Sequence, residues 1–251
     1  MKKVLSKADL HMHTTFSDGQ AKVEDVLNYV VNKTDLKIIA ITDHNCITGA
    51  LLAQDIVREK KLPIEVIVGE EVSTRSGHVI GLFLKKEIPA GLTVCETIKR
   101  IKKQNGLVIT PHPFYFTVIN TSIKHEVMNG IGLREIMKNY KYIDAIETVD
   151  ATPTLADENL TAHIWNATLI HKAETGSSDA HILDAIGMGY TLFEGTTSAD
   201  LRRSIENAQT RAVARRWGFL GLAKYAFFFF PKAIRLGVYT LIHGKRKINK
   251  I

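Results

Sequence analysis

The amino-acid sequence predicts an α/β fold, either a barrel or a wound parallel sheet. Short apolar runs rich in Val and Ile alternate with longer segments of helical period, which is the pattern of repeated βα units. The length of 251 residues is one that a single α/β barrel commonly fills. Polar residues follow nearly every predicted strand, and this favours the barrel because ligands gather at the carboxyl ends of its strands.

Each element is predicted from its apolar period and from the turn residues around it. The predicted strands are Ala8–His11, Ile38–Thr42, Ile64–Val68, His78–Leu84, Leu107–Thr110, Ala145–Val149 and Glu174–Ser178. The predicted helices are Lys22–Asn32, Gly49–Lys60, Val94–Gln104, Leu133–Asn139, Leu155–Lys172 and Ala199–Gln209. Seven strands with interleaved helices indicate a barrel or a wound parallel sheet.

Composition excludes several classes of protein. With 45% hydrophobic and 24% charged residues, the chain has the profile of a folded soluble protein rather than a disordered or collagenous one. Cys46 and Cys95 are the only cysteines and form no CxxC, so a disulfide framework and a thiolate zinc site are excluded. The amino terminus lacks an apolar signal segment. We therefore expect a cytoplasmic protein.

The net charge of +7 is unevenly distributed. Residues 201–251 contain twelve Lys and Arg against Glu206, a net charge of +11, so residues 1–200 carry −4. Seven aromatic residues fall within 217–230, followed by Pro231 and a second predicted helix, Lys232–Ile242, before the basic end at 245–247. We predict a catalytic barrel over residues 1–209 and a basic amphipathic extension over 210–251.

Three interpretations of the extension remain open. Its apolar face could pack on the barrel or on a second subunit. Basic and aromatic residues together also suit a helix on an anionic membrane, which would place the protein at the inner face. Contact with a nucleic-acid backbone is the third interpretation, although four consecutive phenylalanines at 227–230 are unusually apolar for an exposed groove.

Two pairs of polar residues indicate a metal site. In a strand, residues i and i+2 point the same way, so His11 and His13 present two imidazoles to one side, and Asp179 and His181 repeat this spacing. Further donors follow other predicted strands. The nine candidate metal ligands are His11, His13, Asp18, His44, Glu71, His78, His112, Asp179 and His181. Imidazole and carboxylate without thiolate suit Zn, Mn or Fe(II).

These segments resemble the successive motifs of the PHP (polymerase and histidinol phosphatase) family. The segments are HMHTTFSDG at 11–19, TDHN at 42–45, GEEVST at 69–74, GHVIG at 77–81, PHP at 111–113 and GSSDAH at 176–181. The resemblance spans residues 8–200 and is greatest to small stand-alone phosphoesterases. It implies a distorted (βα)7 TIM-like barrel with two or three divalent ions in its mouth.

The resemblance also implies how the ligands are grouped. One ion would be held by His11, His13, Glu71 and Asp179. A second would be held by Glu71, His78 and His112, and a third by Asp18, His44 and His181. Glu71 is preferred to Glu70 because the family motif reads Gly-x-Glu, and strand alternation allows only one of the two to face the ions.

Three further residues are candidates for supporting roles. Asp43 could orient an imidazole or transfer a proton, and Arg75 could clamp a phosphate. Glu147 could support a ligand from behind. Their alternatives are buried, hydrogen-bonded carboxylates and a solvated loop arginine.

The expected activity is metal-dependent hydrolysis of a phosphate ester by activated water. Nucleotide-binding glycine loops and serine-nucleophile motifs are absent from the sequence. The substrate would be a small phosphorylated metabolite, a nucleotide or an oligonucleotide end. Two alternatives stay open: another metal-dependent hydrolase, and a membrane-docked module that binds a phosphorylated ligand without turnover.

Overall fold

In the computed structural model, which describes residues 4–116 and 129–230, nine strands form one curved sheet with helices outside it. The strands are β1 (Leu5–Asp9), β2 (Ile38–Ile41), β3 (Glu65–Thr74), β4 (Gly77–Leu82), β5 (Leu107–Thr110), β6 (Ala145–Asp150), β7 (Ala173–Ser177), β8 (Gly189–Glu194) and β9 (Arg211–Ala214). Their order across the sheet is β7-β6-β5-β4-β3-β2-β1-β8-β9. The α/β barrel prediction is confirmed.

The helices follow the predicted order. They are α1 (Val23–Lys33), α2 (Thr48–Lys60), α3 (Val94–Lys103), α4 (Gly132–Asn139), α5 (Ala156–Trp165), α6 (Ser198–Glu206) and α7 (219–230). Capping boxes begin α3 at Thr93 and α6 at Thr197, which satisfies backbone N–H groups that the first turn leaves unpaired. The predicted helix Leu155–Lys172 is α-helical only to Trp165 and continues as a π-turn to Ile170.

Strand direction differs from that of a uniformly parallel barrel. β1, β2 and β3 are parallel, as are β5, β6 and β7, whereas β4 is antiparallel to both of its neighbours. Only Arg75 and Ser76 separate β3 from β4. Two residues allow a hairpin and exclude a crossover helix, so the distortion of the barrel begins here.

The sheet closes through two strands that the sequence analysis did not predict. β8 pairs antiparallel with β1 and β9 pairs antiparallel with β8, so residues 211–214, which we had placed in the extension, belong to the sheet. β7 then meets β8, where the Thr191 hydroxyl donates to the Gly176 carbonyl at 2.9 Å. A Cβ on Gly189 would lie 1.9 Å from the Ser177 carbonyl oxygen, so this close approach requires glycine.

Apolar side chains fill both faces of the sheet. Along β2, Ile38 and Ala40 belong to an inner cluster, while Ile39 and Ile41 pack outward beneath the helices. Burial on both faces explains why the strands read as continuous apolar runs. Leu201 and Ile205 of α6 join the inner cluster, whereas polar side chains lie beyond the carboxyl ends of the parallel strands.

The described part of the extension packs against the barrel. The Trp217 indole N–H donates to the Ala151 carbonyl at 2.8 Å, and Tyr225 is buried and stacks on Phe229 with ring centroids 4.3 Å apart. This agrees with the interpretation that the apolar face covers the barrel. The predicted helix at 232–242 and the basic end at 245–247 lie outside the described residues. Within the described ranges, every helix is too short or too polar to span a membrane.

Candidate metal centre

The two histidines after β1 are held in extended backbone by their neighbours. The Thr42 N–H donates to the Met12 carbonyl at 2.9 Å, and the His13 N–H donates to the Ala180 carbonyl at 2.9 Å. The side chains of His11 and His13 point the same way, as expected for residues i and i+2 of an extended chain. Their Nε2 atoms lie only 3.2 Å apart. Both side chains are buried.

Two other candidate ligands occupy strained backbone. Asp179 has φ +45° and His112 has φ +28°, conformations that non-glycine residues rarely adopt. Asp179 lies in the turn after β7, and His112 lies between Pro111 and Pro113 after β5. Retention of such strain at the carboxyl ends of two strands is typical of a functional site, where the surrounding structure holds the side chains in place.

Four donor atoms converge at the centre of the barrel mouth. Asp179 Oδ1 lies 3.3 Å from His11 Nε2 and 3.0 Å from His13 Nε2. Glu71 Oε2 lies 3.2 Å and 3.3 Å from the same two nitrogens. Atoms bonded to one tetrahedral zinc at about 2.0–2.2 Å are roughly 3.3–3.6 Å apart, so this spacing fits a shared ion with little adjustment.

The Glu71 carboxylate lies between two groups of imidazoles. Its Oε2 faces His11 and His13, whereas its Oε1 lies 2.8 Å from His78 Nδ1 and 3.1 Å from His112 Nε2. One carboxylate that presents each oxygen to a different imidazole group is the arrangement of a bridging ligand in a two-ion site. Glu70 points away, and its carboxylate accepts from the Ile88 N–H at 2.9 Å.

A third group of donors lies towards the outside of the mouth. Asp18 Oδ1 is 3.1 Å from His181 Nε2 and 3.8 Å from His44 Nε2. The His181 ring stacks on that of His13 with centroids 4.4 Å apart, so this group adjoins the first one. The structure thus brings together all nine candidate ligands, in groups that can each hold an ion.

Charge and burial shift the pKa values of these groups in opposite directions. Although burial alone lowers the pKa of His13, hydrogen bonds to Asp179 and Glu71 raise it to about 10. Burial and the adjacent cationic imidazoles lower the pKa of His44 to about 3. Burial alone raises the pKa of Glu71, but His78 and His44 hold it well below its usual range. A divalent cation would replace the protons that now balance these carboxylates.

One buried carboxylate supports two candidate ligands from behind, and a second holds the loop after His13. Glu147 Oε1 lies 3.2 Å from His11 Nδ1, and Oε2 accepts from the His112 N–H at 2.7 Å. Asp43 accepts from the Thr14 N–H and hydroxyl and from the Ser17 hydroxyl, each at 2.7 Å. Asp43 therefore fixes the loop after His13, and the structure shows it in contact with hydroxyls rather than with a ligand imidazole.

Arg75 is the one candidate that the structure does not bring to the centre. It lies in the β3–β4 hairpin, where its Nε–H donates to the Gly91 carbonyl at 3.0 Å, and its side chain is exposed. Three residues separate it from Glu71, and it lies just beyond the end of β3. This contact fits the interpretation of Arg75 as a solvated loop arginine better than its interpretation as a phosphate clamp.

Sequence reasoning missed two buried aspartates. The register shifts between Glu147 and Val149 of β6, and this bulge turns Asp150 towards His11 and Glu147 although simple alternation would send it outward. Burial and the Asp179 carboxylate raise the pKa of Asp150 well above its usual value. Asp9 accepts from the N–H groups of Ser178 and Gly187, and only its i, i+2 spacing to His11 could have suggested it.

The comparison with family models agrees with the site. The PHP domain model matches residues 9–209, which is most of the chain. The chain belongs to the PHP domain family. Membership of the family explains why imidazoles and carboxylates from many strands meet at the barrel mouth. The family match also supports metal-dependent phosphoester hydrolysis as the general class of chemistry.

Individual PHP relatives cover different parts of the chain. An uncharacterized protein of Methanocaldococcus jannaschii is 41% identical over an aligned length of 160, and the match covers 53% of this chain and 92% of that protein. A phosphoribosyl 1,2-cyclic phosphate 1,2-diphosphodiesterase of Eggerthella lenta is 30% identical over an aligned length of 105, and the match covers 39% of each chain.

A solved structure supports the fold. A two-domain protein from Bacteroides vulgatus that contains a predicted PHP-like metal-dependent phosphoesterase aligns with a TM-score of 0.67 at 19% identity. The alignment covers 90% of this chain and 70% of that one.

Proposed function

We propose that this protein hydrolyses a phosphate ester with the help of two or three divalent ions, Zn, Mn or Fe, held by the nine candidate ligands. The observation that carries the proposal is the position of the Glu71 carboxylate, with one oxygen towards His11 and His13 and the other towards His78 and His112. The substrate would be a small phosphorylated metabolite, a nucleotide or an oligonucleotide end.

The chain prepares the ligands for this chemistry. Glu147 faces His11 Nδ1, which leaves His11 Nε2 directed at Glu71 and Asp179. The low pKa values of Asp18 and Asp179, which neighbouring imidazoles cause against the effect of burial, keep both carboxylates ionised at neutral pH. Bound divalent ions would activate water and neutralise the phosphoryl oxygens.

Metal depletion tests the proposal. Protein stripped with a chelator, with metal loss verified by elemental analysis, should release no phosphate from a panel of phosphomonoesters, cyclic phosphates and short oligonucleotides. Addition of Mn²⁺ or Zn²⁺ should restore release. Full turnover in the verified absence of metal would refute the proposal.

The same panel separates the alternatives. Turnover of amide or carboxylic ester substrates without phosphate release would identify another metal-dependent hydrolase. A protein that binds metal and a phosphorylated ligand and hydrolyses nothing would be a binding module. The relative from Eggerthella lenta carries the name of a cyclic phosphate diesterase, which is why cyclic phosphates belong in the panel.

We also propose that the extension contacts an anionic membrane surface. Phe219 and Phe227 are 88% and 84% exposed on α7, and residues 210–251 contain ten Lys and Arg without an acidic residue. Exposed aromatic side chains beside uncompensated positive charge fit a lipid interface with anionic headgroups.

Vesicle binding tests the membrane proposal. The full chain should sediment with vesicles rich in phosphatidylglycerol and not with phosphatidylcholine alone. A double variant, Phe219→Ser with Phe230→Ser, should bind several-fold more weakly, because Phe230 is also exposed. Equal sedimentation of the variant would exclude this contact, and dimerisation or nucleic-acid binding by the extension would then be measured instead.

A further inference from the structure

A cleft of about 610 Å³ lies between α7 and the barrel. The apolar part of its lining comes from both sides and consists of Ala21, Ile182, Leu183, Ala223, Phe227 and Phe228. Its polar lining includes Asp25, Asp184 and Lys224. The cleft would not exist on the barrel alone, because α7 forms one of its walls.

One end of this cleft adjoins the candidate metal centre. Phe228 lines the cleft, and its ring centroid is 6.0 Å from that of His181. Ile182 directly follows His181, and the N–H of Gln20, which also lines the cleft, donates to the His181 carbonyl at 2.9 Å. A group bound in the cleft would therefore lie next to anything held at the Asp18 and His181 donors.

The charged residues of the cleft disfavour the binding of a further phosphate group there, beyond the one at the metal centre. Among the described residues of the lining, Lys224 is the one cation, and its Nζ pairs with the Asp184 carboxylate at 2.8 Å and 2.9 Å. Asp25 adds a further negative charge. A polyanion such as an oligonucleotide would meet repulsion there, whereas an uncharged apolar group would bury its surface against Phe228 and Ile182.

We propose that this cleft binds the apolar organic group of a phosphate monoester, with Phe228 as a specificity-determining residue. This inference rests on the proposed function. Hydrolysis adds water across the P–O bond and releases phosphate and the alcohol, so the organic group has to lie beside the centre, and the Phe228 ring places the lining of the cleft 6.0 Å from the His181 ring, centroid to centroid. The aromatic extension thus selects the substrate, and the preferred class is esters of apolar alcohols rather than nucleic-acid ends.

Chain length of the alcohol provides the test. The full-length, Mn²⁺-loaded protein should show kcat/KM for hexyl phosphate at least about tenfold above that for methyl phosphate, because the longer chain fills the cleft. Phe228→Ala should reduce this ratio by about tenfold, because it removes apolar surface that the longer chain would contact. Calorimetry with hexylphosphonate, which cannot be hydrolysed, should show weaker binding by a similar factor.

Two further variants keep the test decisive. Ala223→Phe adds bulk to the cleft without removing a packing contact, and it should lower the same ratio even where Phe228→Ala fails to fold. Phe219→Ala, on the exposed side of α7, is the matched control and should leave the ratio unchanged. An equal effect of chain length in all variants, or wild-type indifference to chain length, would overturn the inference.

Failure of the proposed function would give a different result from failure of the cleft inference. If no ester were hydrolysed by the wild type, the phosphoesterase proposal would fall. Hexylphosphonate binding that still depends on Phe228 would in that case support the cleft by itself.

Discussion

At the scale of single residues, Glu70 and Glu71 show how one step along a strand separates two roles. Both are buried carboxylates on β3, yet Glu71 faces five imidazoles and Glu70 faces the Ile88 backbone. Alternation of side chains across a strand explains the difference and makes each residue the natural control for the other.

Glu71→Gln should abolish most activity, whereas Glu70→Gln should retain it. The amide removes the charge that both ion positions share, and we expect a loss of about a thousandfold together with a fall in bound metal. Phosphate release and metal content per chain would measure both effects. Similar losses in the two variants would contradict the assignment of Glu71.

Glu70 should make stability depend on pH. Burial raises its pKa from 4.5 to about 8, so the folded state favours the protonated form. Its contribution is therefore fully present below pH 4.5 and is lost as the pH rises through 8, by roughly 3 kcal/mol between pH 4.5 and 7. Urea unfolding of the wild type and Glu70→Gln should diverge accordingly. A difference that does not change with pH would show that Glu70 is ionised in the folded protein.

At the scale of elements, the contact of β7 with β8 closes the barrel behind the candidate ligand Asp179. Gly176 and Gly189 allow the two backbones to approach, since a Cβ at either position would meet a backbone oxygen closer than 3.0 Å. Asp179 follows β7 by two residues, so this closure also supports the strained turn that carries it.

Gly189→Ala should destabilise the protein by about 1–3 kcal/mol, because the added methyl group overpacks the β7–β8 contact. Gly218→Ala is the control, since nothing lies within 4 Å of a Cβ there. Urea unfolding would measure both. Equal stability of the two variants would mean that the barrel closes less tightly than the structure shows.

At the scale of the whole molecule, the part of the chain that contains the candidate metal centre and the extension carry opposite net charge. The first 200 residues are net acidic and contain the carboxylates of the candidate metal centre, while the excess positive charge belongs to the last 51. The extension nevertheless contributes to the barrel, because β9 completes the sheet and α7 covers part of the mouth.

Metal binding should release protons. The pKa of His13 is raised to about 10 in the absence of metal, so at pH 8 a bound ion must displace its proton. We expect about one proton or more released per chain when Mn²⁺ is added in weak buffer, with affinity falling as the pH is lowered. The same addition should raise the melting temperature. Metal binding without proton release would indicate that His13 is already neutral.

The sequence by itself determined the barrel class and seven of its strands, and it predicted the nine candidate donors, because alternation and strand-end position are local properties that side-chain periodicity records. Glu71 needed the family motif in addition, since alternation alone could not choose between two adjacent glutamates. The bulge that turns Asp150 inward, the outward course of Arg75 and the closure by β8 and β9 were decided only by the tertiary structure. Each depends on contacts between segments far apart in sequence. The placement of Phe228 beside His181 is of the same kind, because it joins residues 47 positions apart through the packing of α7 on the barrel.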